Sequence, residues 1–151
     1  MRRFHTADDG VAILELALIA PFLILLAIGI IEIGVYTRDA MEVGNAARAG
    51  VQYGAQSTAT SNDAPGISAA AKSDANEVTG LNVTSNLFCA CHKTPGTHVA
   101  NCTPTPSCAK GDHFDMSISV TASNSFSALV SVPAIPSTIT IARTATQLIS
   151  P

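Results

Sequence analysis

One carboxylate stands alone in a long apolar run near the N-terminus. Glu15 is the only charged residue between Val11 and Ile31. An ionised carboxylate costs about 2.5–3.5 kcal/mol at the centre of a bilayer and less near the interface, so it needs a partner. If the chain is cut after Gly10, the new amino group of Val11 is positively charged and lies one helical turn from Glu15. This spacing predicts an ion pair that neutralises Glu15 and, when the amine belongs to a neighbouring chain, fixes the register of two helices. The alternative is a plain signal anchor whose glutamate lies near the interface.

Four cysteines form the second group of residues that could do chemistry. They bracket a loop, Lys93 to Ser107, that is rich in Pro, Gly, Thr and Ser, and they are Cys89, Cys91, Cys102 and Cys108. Side chains two apart on a strand share a face but are too far apart to bridge without distortion, which argues against a bond between the first two. Two pairings stay open, 89–102 with 91–108 or 89–108 with 91–102. Either would contribute about 2–4 kcal/mol per bridge.

Zinc binding is the alternative for the same region. His92, His98 and His113 lie among the cysteines, and thiolate and imidazole are the usual zinc ligands. The spacing matches no standard zinc finger, and Cys89-Ala-Cys91-His92 is one residue short of the haem-attachment pattern C-x-x-C-H. We therefore expect disulfides, with no metal and no cofactor.

The apolar run predicts a membrane-spanning helix over residues 11–35. About 20 apolar residues cross a hydrocarbon core about 30 Å thick. Pro21 removes a backbone hydrogen bond and should kink or loosen this helix. Arg2 and Arg3 precede the run and no comparable cluster follows it closely, so the N-terminus is expected in the cytoplasm and the rest outside, where disulfides can form.

Four segments are predicted: a polar leader over residues 1–10, the spanning helix over 11–35, an extension of the same helix over 36–56, and an α+β domain over 57–151. The helix is expected to end at about Tyr53. Glycines along it would allow close approach of neighbouring helices, at the cost of helix propensity. These helix-packing candidates are Gly29, Gly34, Gly44 and Gly50.

The fold class predicted for the outer part is α+β, with a short helix and a small antiparallel sheet. A polar linker over 57–62 is followed by a helix from Pro65, capped by Asn62 or Asp63, that runs to about Val78 and is ended by Gly80. Alternation of apolar and polar residues predicts strands over 81–91, 114–122 and from 138 to about 149. We expect this sheet to lie against the outer half of the long helix.

Composition excludes several functions. The formal net charge is −3, aromatic residues make up 5% and Trp is absent, so the chain has neither the basic footprint nor the stacking platform of a nucleic-acid-binding protein. No nucleophile elbow, H-E-x-x-H pattern or phosphate loop occurs, so we do not expect an enzyme.

The N-terminal residues resemble a known family. The sequence G-V-A-I-L-E over 10–15 resembles a class III prepilin signal, with glutamate at the fifth position after the glycine. The residues that follow resemble the TadE-like domain of Tad/Flp (tight adherence) pilus systems, and this resemblance covers roughly 9–55. That domain carries an early proline, an E-x-G near the outer end of the span and an A-A-R-x-G stretch beyond. In this chain these are Pro21, Glu32 with Gly34, and residues 46–50.

The resemblance implies a pseudopilin or minor pilin. Leu16 stands where the major Flp pilin has tyrosine, and the chain is longer than that pilin. The family implies cutting by a prepilin peptidase between Gly10 and Val11 and a single-pass chain in the bacterial inner membrane with a periplasmic domain. It also implies partners among the other Tad pseudopilins, the pilin and inner-membrane assembly proteins, with incorporation into an adhesive pilus. The alternatives are a membrane-anchored binding module without a filament role and a metal-binding periplasmic protein.

Overall fold

The computed structural model describes residues 8–92, 98–99, 102, 108, 113–128, 130 and 137–149. The chain divides into two units, residues 1–37 and 38–151. The described part consists of three helices and four strands. The helices are α1 (Asp8–Gly54), α2 (Thr58–Ser61) and α3 (Ala64–Asp74), and the strands are β1 (Asn82–His92), β2 (His98–Val99), β3 (His113–Ser127) and β4 (Thr138–Leu148). The α+β class predicted from the sequence is confirmed.

Helix α1 begins inside the segment predicted as a leader. Its first residue is Asp8, so the backbone of the last three leader residues is already helical. The leader over residues 1–10 stays a prediction.

The first unit contains the apolar half of α1. Apart from the half-buried Ile28, its large apolar side chains are exposed on every side of the helix, between 38% and 82%. Pro21 lies within the helix, which continues on both sides of it, and whether the axis bends there stays a prediction. At the end of the unit, the Thr37 hydroxyl donates to the carbonyl oxygens of Ile33 and Gly34 at 2.7 and 2.9 Å. Such hydroxyl groups satisfy carbonyls within the helix itself.

The second unit is built around a four-stranded antiparallel sheet in the order β2-β1-β3-β4. The long strand β3 is central and pairs without a break with both neighbours, as Leu87 opposite Ile118 and Val120 opposite Ala145 illustrate. Alternate residues of β3 point to one face, which packs on helix α1 and is buried at Ile118, Val120 and Ala122. The expected packing of the sheet on the outer half of the long helix is confirmed.

Several predicted element boundaries were wrong. The segment expected to be a polar linker contains α2, because Ser57 and Thr60 form a reciprocal capping box at its start. Of the two predicted caps, Asn62 and Asp63, the structure selects Asp63, and helix α3 ends at Asp74 rather than near Val78. Gly80, at φ 81°, shapes the connection into β1 instead of ending the helix.

The predicted strands also differ from the structure. Strand β3 runs on to Ser127, well past the predicted end at Ala122. Strand β2 lies inside the stretch predicted to be a loop, where Val99 pairs with Cys89. Two residues are too short a run to show the alternation from which the longer strands were predicted.

The core of the second unit depends on a close approach of α1 to β3 and α3. A Cβ atom placed on Gly54 would lie 2.5 Å from Ile118 Cδ1, and one placed on Gly50 would lie 3.0 Å from Val120 Cγ1 and 3.4 Å from Ala71 Cβ. No side chain fits at these points without displacing its neighbours. The core cluster that forms around them contains Val51, Ala55, Ile67, Ile118, Val120 and Ile149.

We predict that Gly54→Ala destabilises the protein. Overpacking a well-packed core costs about 1–3 kcal/mol, which exceeds the helix propensity of about 1 kcal/mol or less that alanine adds. Thermal denaturation of the full chain in detergent micelles should show a lower Tm. Gly44→Ala is the matched control, because the nearest atom to its Cβ position, Arg143 Cγ, is an ordinary 3.8 Å away. An equal or higher Tm for Gly54→Ala than for Gly44→Ala would contradict this account of the core.

Candidate functional site

The bond between Gly10 and Val11 lies in the first turn of α1. The helix starts only two residues earlier, at Asp8, and the Val11 side chain is 56% exposed. The first four N–H groups of a helix have no intrahelical acceptor, so unwinding this turn gives up few hydrogen bonds. A protease that needs an extended peptide can therefore reach this bond without disturbing the rest of the helix.

Glu15 lies one helical turn after Val11 and its side chain is exposed. Side chains in a helix lean towards its N-terminus, so the carboxylate of Glu15 leans towards Val11. The structure brings the two sequence-predicted residues onto one face at the start of the helix. An amino group created at Val11, in this chain or in a neighbour, would meet a carboxylate that is accessible there. The roles assigned to Gly10, Val11 and Glu15 stay predictions.

The apolar half of α1 offers a docking surface that runs around the whole helix. In the part of the chain that the structure describes, α1 is the one helix long and apolar enough to cross a membrane, and none of its most apolar window is buried. The core helix of a soluble domain would be mostly buried instead. A helix that is apolar all round belongs either in lipid or among other helices. The exposed large apolar residues are Val11, Ile13, Leu14, Leu16, Leu18, Ile19, Phe22, Leu23, Ile24, Leu25, Leu26, Ile30, Ile31, Ile33 and Val35.

The four glycines predicted for helix packing have different surroundings. No atom lies within 4 Å of a Cβ placed on Gly29 or Gly34, so these positions leave the helix surface open for a neighbour outside the described chain. Gly50 is buried and contacts β3 and α3 of its own chain, and Gly44 lies beside Arg143 of β4. The close approach at Gly50 is thus internal. The part of the helix that stays free for packing against other chains is the apolar half.

Two disulfides tie distant positions to strand β1. Cys89 bonds to Cys102 and Cys91 to Cys108, with Cα–Cα distances of 5.3 and 5.5 Å. The structure thereby chooses between the two pairings that the sequence left open. Cys89 is fully buried and faces the core side of the sheet opposite Met116, while Cys91 is half-buried.

The disulfides leave no thiolate for a metal at these positions. All four cysteines are bonded, and among the residues described in the structure no group of three or more His, Cys, Asp or Glu side chains could hold a metal ion. His92, His98 and His113, the histidines of the zinc alternative, lie at strand ends, where His92 pairs with His113 in the ladder between β1 and β3. The bonding of the cysteines is what disfavours the zinc interpretation.

A hydrogen-bonded pair that sequence reasoning missed joins the end of α1 to the start of α3. The Tyr53 hydroxyl donates to Asp63 Oδ2 at 2.8 Å, and the Gly66 N–H donates to Asp63 Oδ1 at 3.0 Å. Asp63 was identified as a helix cap, but its partner lies ten residues earlier, and no local pattern points to it. The pair fixes the position of α3 against the core.

The pair shifts both pKa values. The hydrogen bond from Tyr53 and then that from Gly66 stabilise the carboxylate and hold the pKa of Asp63 below its ordinary value of 3.8. The same hydrogen bond, with a smaller contribution from desolvation, raises the pKa of Tyr53 above its ordinary value of 10.0. Folding therefore favours ionised Asp63 and neutral Tyr53.

We predict that this pair makes stability depend on pH at both extremes. The Asp63 contribution is present above its unfolded pKa and is lost as the pH falls through the lower folded value. The Tyr53 contribution is present below pH 10.0 and is lost as the pH rises through the higher folded value. Tyr53→Phe should lower the Tm at neutral pH. It should also make the fall of Tm in acid smaller and remove the part of the fall of Tm in alkali that is due to ionisation of Tyr53. A Tm profile for Tyr53→Phe that runs parallel to that of the unmutated chain from pH 3 to 11 would contradict the linkage.

We also predict that the two disulfides differ in their contribution to stability. Peptide mapping of the unreduced protein should recover the disulfide bonds Cys89–Cys102 and Cys91–Cys108. Removing either bridge costs about 2–4 kcal/mol, and the pair Cys89→Ala with Cys102→Ala should cost more, because Cys89 is fully buried and its replacement also leaves space in the core. The pair Cys91→Ala with Cys108→Ala is the matched control. Recovery of 89–108 or 91–102 would overturn the pairing.

The N-terminal part of the chain matches a known family model. Residues 10–52 match the family described as TadE-like protein. This match covers the predicted cleavage position, the apolar helix and most of its extension, and it confirms the resemblance noted from the sequence. Neither curated proteins nor solved structures contain a significant match to the chain. Residues 10–52 are therefore similar to the TadE-like proteins.

Proposed function

We propose that this protein is a pseudopilin or minor pilin of a Tad pilus assembly system. The similarity of residues 10–52 to the TadE-like proteins supports an association with a Tad pilus. The observation that carries the more specific role is that this segment is a helix whose apolar half has nearly all of its large side chains exposed. Such a helix suits storage in a membrane followed by transfer into a bundle of similar helices. No step of this role requires catalysis by the chain itself.

The N-terminal residues support processing by a prepilin peptidase. In this proposal the peptidase cuts between Gly10 and Val11, in the first turn of α1, and removes the segment that contains Arg2 and Arg3. The new amino group of Val11 then pairs with Glu15 of its own chain or of a neighbour. Between chains, this pairing sets the axial register at which the helix docks.

The disulfides of the second unit support a location of this unit outside the cytoplasm. Disulfides form and persist in oxidising compartments such as the bacterial periplasm. The arginines before the apolar run place the N-terminus in the cytoplasm by the positive-inside rule, so both arguments put the second unit on the periplasmic side of the inner membrane. There it would present its sheet to other Tad assembly proteins, and within a pilus it would contribute to adhesion.

The second unit also limits how the chain can dock. The face of α1 that carries Val43, Ala47, Gly50 and Val51 is buried by the chain's own sheet and α3. That face cannot contact another helix unless the second unit opens. Docking in this proposal therefore uses the apolar half of α1, with Gly29 and Gly34 as points of close approach.

We predict that a substitution at Gly10 blocks cutting by the peptidase, whereas a substitution at Glu15 blocks docking with the other pilus components but not cutting. With the system's prepilin peptidase, the membrane-extracted chain should begin at Val11 by N-terminal sequencing, and Gly10→Leu should keep Met1. Glu15→Gln should be cut but should no longer co-purify with the other pilus components, because the amide cannot pair with the amine. Asp39→Asn, on the same helix outside the apolar run, is the matched control and should behave like the unmutated chain.

Two results would contradict the proposal. A mature chain that still begins at Met1 in the presence of the peptidase would leave a membrane-anchored binding module as the better interpretation. Glu15→Gln chains that are cut and incorporated normally would remove the docking role of the carboxylate while leaving the processing intact.

A further inference from the structure

Strand β4 is an edge strand of the sheet in the second unit. In the part of the chain that the structure describes, the order β2-β1-β3-β4 gives β4 a neighbouring strand on one side only. Its pairing with β3 runs without a break from Thr138 to Leu148. At the other side of the sheet, β1 is paired with β2 and contacts α3. The long open edge of the described sheet is therefore that of β4.

The backbone groups on this open edge can be assigned residue by residue. Just beyond the strand ends, the Ile149 N–H donates to the Met116 carbonyl at 2.7 Å, and the Ala128 N–H donates to the Ser137 carbonyl at 2.9 Å. Hydrogen-bonded positions alternate along an antiparallel pair, so the odd-numbered residues of β4 bond to β3 and the even-numbered residues direct their N–H and C=O groups away from it. These outward residues, all of them exposed, are Thr138, Thr140, Ala142, Thr144, Thr146 and Leu148.

Little in β4 prevents another strand from adding to this edge. Proteins protect edge strands with proline, with bulges or with charged side chains, lysine above all. Strand β4 has the sequence TITIARTATQL, which contains no proline and one charged residue, Arg143. Its register with β3 contains no bulge. Arg143 is therefore the one protective feature of this strand.

Arg143 covers one of the outward backbone groups. Its Nη1 donates to the Ala142 carbonyl at 3.0 Å, in an exposed hydrogen bond between neighbouring residues. Arg143 forms no ion pair with any residue that the structure describes. Because a guanidinium group bonds more strongly to a carboxylate than to a neutral carbonyl, an incoming strand that carries a carboxylate would release the Ala142 carbonyl for backbone pairing and give Arg143 a better partner.

The position of Arg143 determines where that carboxylate has to lie. Arg143 is at the centre of β4, and its Cγ lies 3.8 Å from the Cβ position of Gly44, on the side of the sheet that faces α1. Arg48, which is exposed and lies one helical turn after Gly44, adds a second positive charge on this side. The backbone of Arg143 faces β3, so in an added antiparallel strand the residue opposite Arg143 belongs to a pair without hydrogen bonds, where side chains are closest. Opposite charges in such a position stabilise a sheet.

The same charge disfavours a second copy of this chain as the added strand. Two β4 strands paired antiparallel about their centres would place Arg143 opposite Arg143, and like charges directly opposite each other destabilise a sheet. A register that separates the two arginines leaves fewer residues paired, because Arg143 lies at the midpoint of the strand. A segment of a different polypeptide avoids this conflict.

We propose that the open edge of β4 binds an extended segment of a partner protein, added antiparallel, with an aspartate or glutamate of that segment opposite Arg143. The outward backbone groups supply the affinity, and Arg143 selects the register and the charge of the partner. This inference deepens the proposed function by giving the chemistry of a partner that the sheet contacts. It depends neither on cutting after Gly10 nor on Glu15, so its failure would leave the processing and docking of the helix untouched.

Synthetic peptides with one blocked edge test this pairing. The probe is the labelled peptide Val-Thr-Val-Thr-Glu-Thr-Val-Thr-Val, N-methylated at its odd positions, so that only the backbone groups of its even positions can pair. With the glutamate opposite Arg143, these even positions face the outward residues of β4. The matched control peptide has the same side chains but is N-methylated at its even positions, which blocks that edge. Binding to the full chain in detergent micelles is measured by fluorescence anisotropy.

Variants of the chain separate the backbone pairing from the charge. Ala142→Pro removes an outward N–H, which an edge strand tolerates, and Ala142→Val is the matched control that keeps this group. Thr140→Pro is a second edge variant in case the first disturbs folding. Arg143→Glu reverses the charge at the centre of the strand, and it is compared with the unmutated chain for the glutamate probe and for a probe with lysine in the same position.

The expected result is saturable binding of the probe and none of the edge-blocked peptide. Binding should be lost in Ala142→Pro or Thr140→Pro but kept in Ala142→Val. Arg143→Glu should weaken binding of the glutamate probe about two- to fivefold and strengthen binding of the lysine probe by a similar factor, as expected for a cross-strand charge pair.

Three results would overturn the proposal. No binding of the probe, or equal binding of the two N-methylated isomers, would exclude pairing at the edge. Equal affinity of the unmutated chain for the glutamate and lysine probes would exclude the carboxylate opposite Arg143. A dimer of the chain that Ala142→Pro dissociates would make a second copy, rather than a different protein, the occupant of the edge.

Discussion

The packing of α1 against the sheet and α3 is the constraint on which the second unit depends. It requires residues without side chains at Gly50 and Gly54, because Val120, Ile118 and Ile67 occupy the space beside the helix. The small residues on the rest of this face, Ala46 and Ala47, are fully or almost fully buried. The backbone of α1 lies close to the sheet and α3, so apolar surface is buried without large side chains on this face of the helix. This explains how a chain with 5% aromatic residues builds a core.

The same helix has two different surfaces along its length. Up to Val35 every side bears large apolar groups that are exposed, whereas from Ala40 onward one face is small and buried and the other carries residues such as Met41 and Arg48 that are exposed. The first pattern suits lipid or other helices, and the second suits a protein domain in water. In the proposed function the first surface exchanges lipid for neighbouring chains while the second keeps the domain attached to the moving helix.

The sheet is held in place from two directions. On the inner side, the Tyr53–Asp63 pair joins the end of α1 to α3, so the helix that borders β1 cannot slide along the core. At the far end of β1, the two bridges connect Cys89 and Cys91 to positions in a Pro- and Thr-rich stretch that has little apolar surface of its own. In a domain this small, such covalent links compensate for a limited core.

The sequence by itself determined the features that depend on neighbouring residues. Apolar length predicted the helix, period-two alternation predicted β1, β3 and β4, and the polar residues shortly before Pro65 limited the cap of α3 to Asn62 or Asp63. The TadE-like resemblance also came from local motifs, such as Gly10 to Glu15 and the A-A-R-x-G stretch, and the family match confirmed it. Each of these signals lies within a few turns or a few strand residues, where local geometry decides the outcome.

Only the tertiary structure decided which distant residues meet. It chose Cys102 for Cys89, because the course of the chain after β1 determines which sulfur arrives there. It joined Tyr53 to Asp63 and placed Gly50 against Val120 rather than against another helix. Such contacts depend on how complete elements pack, and no short window of sequence contains that information.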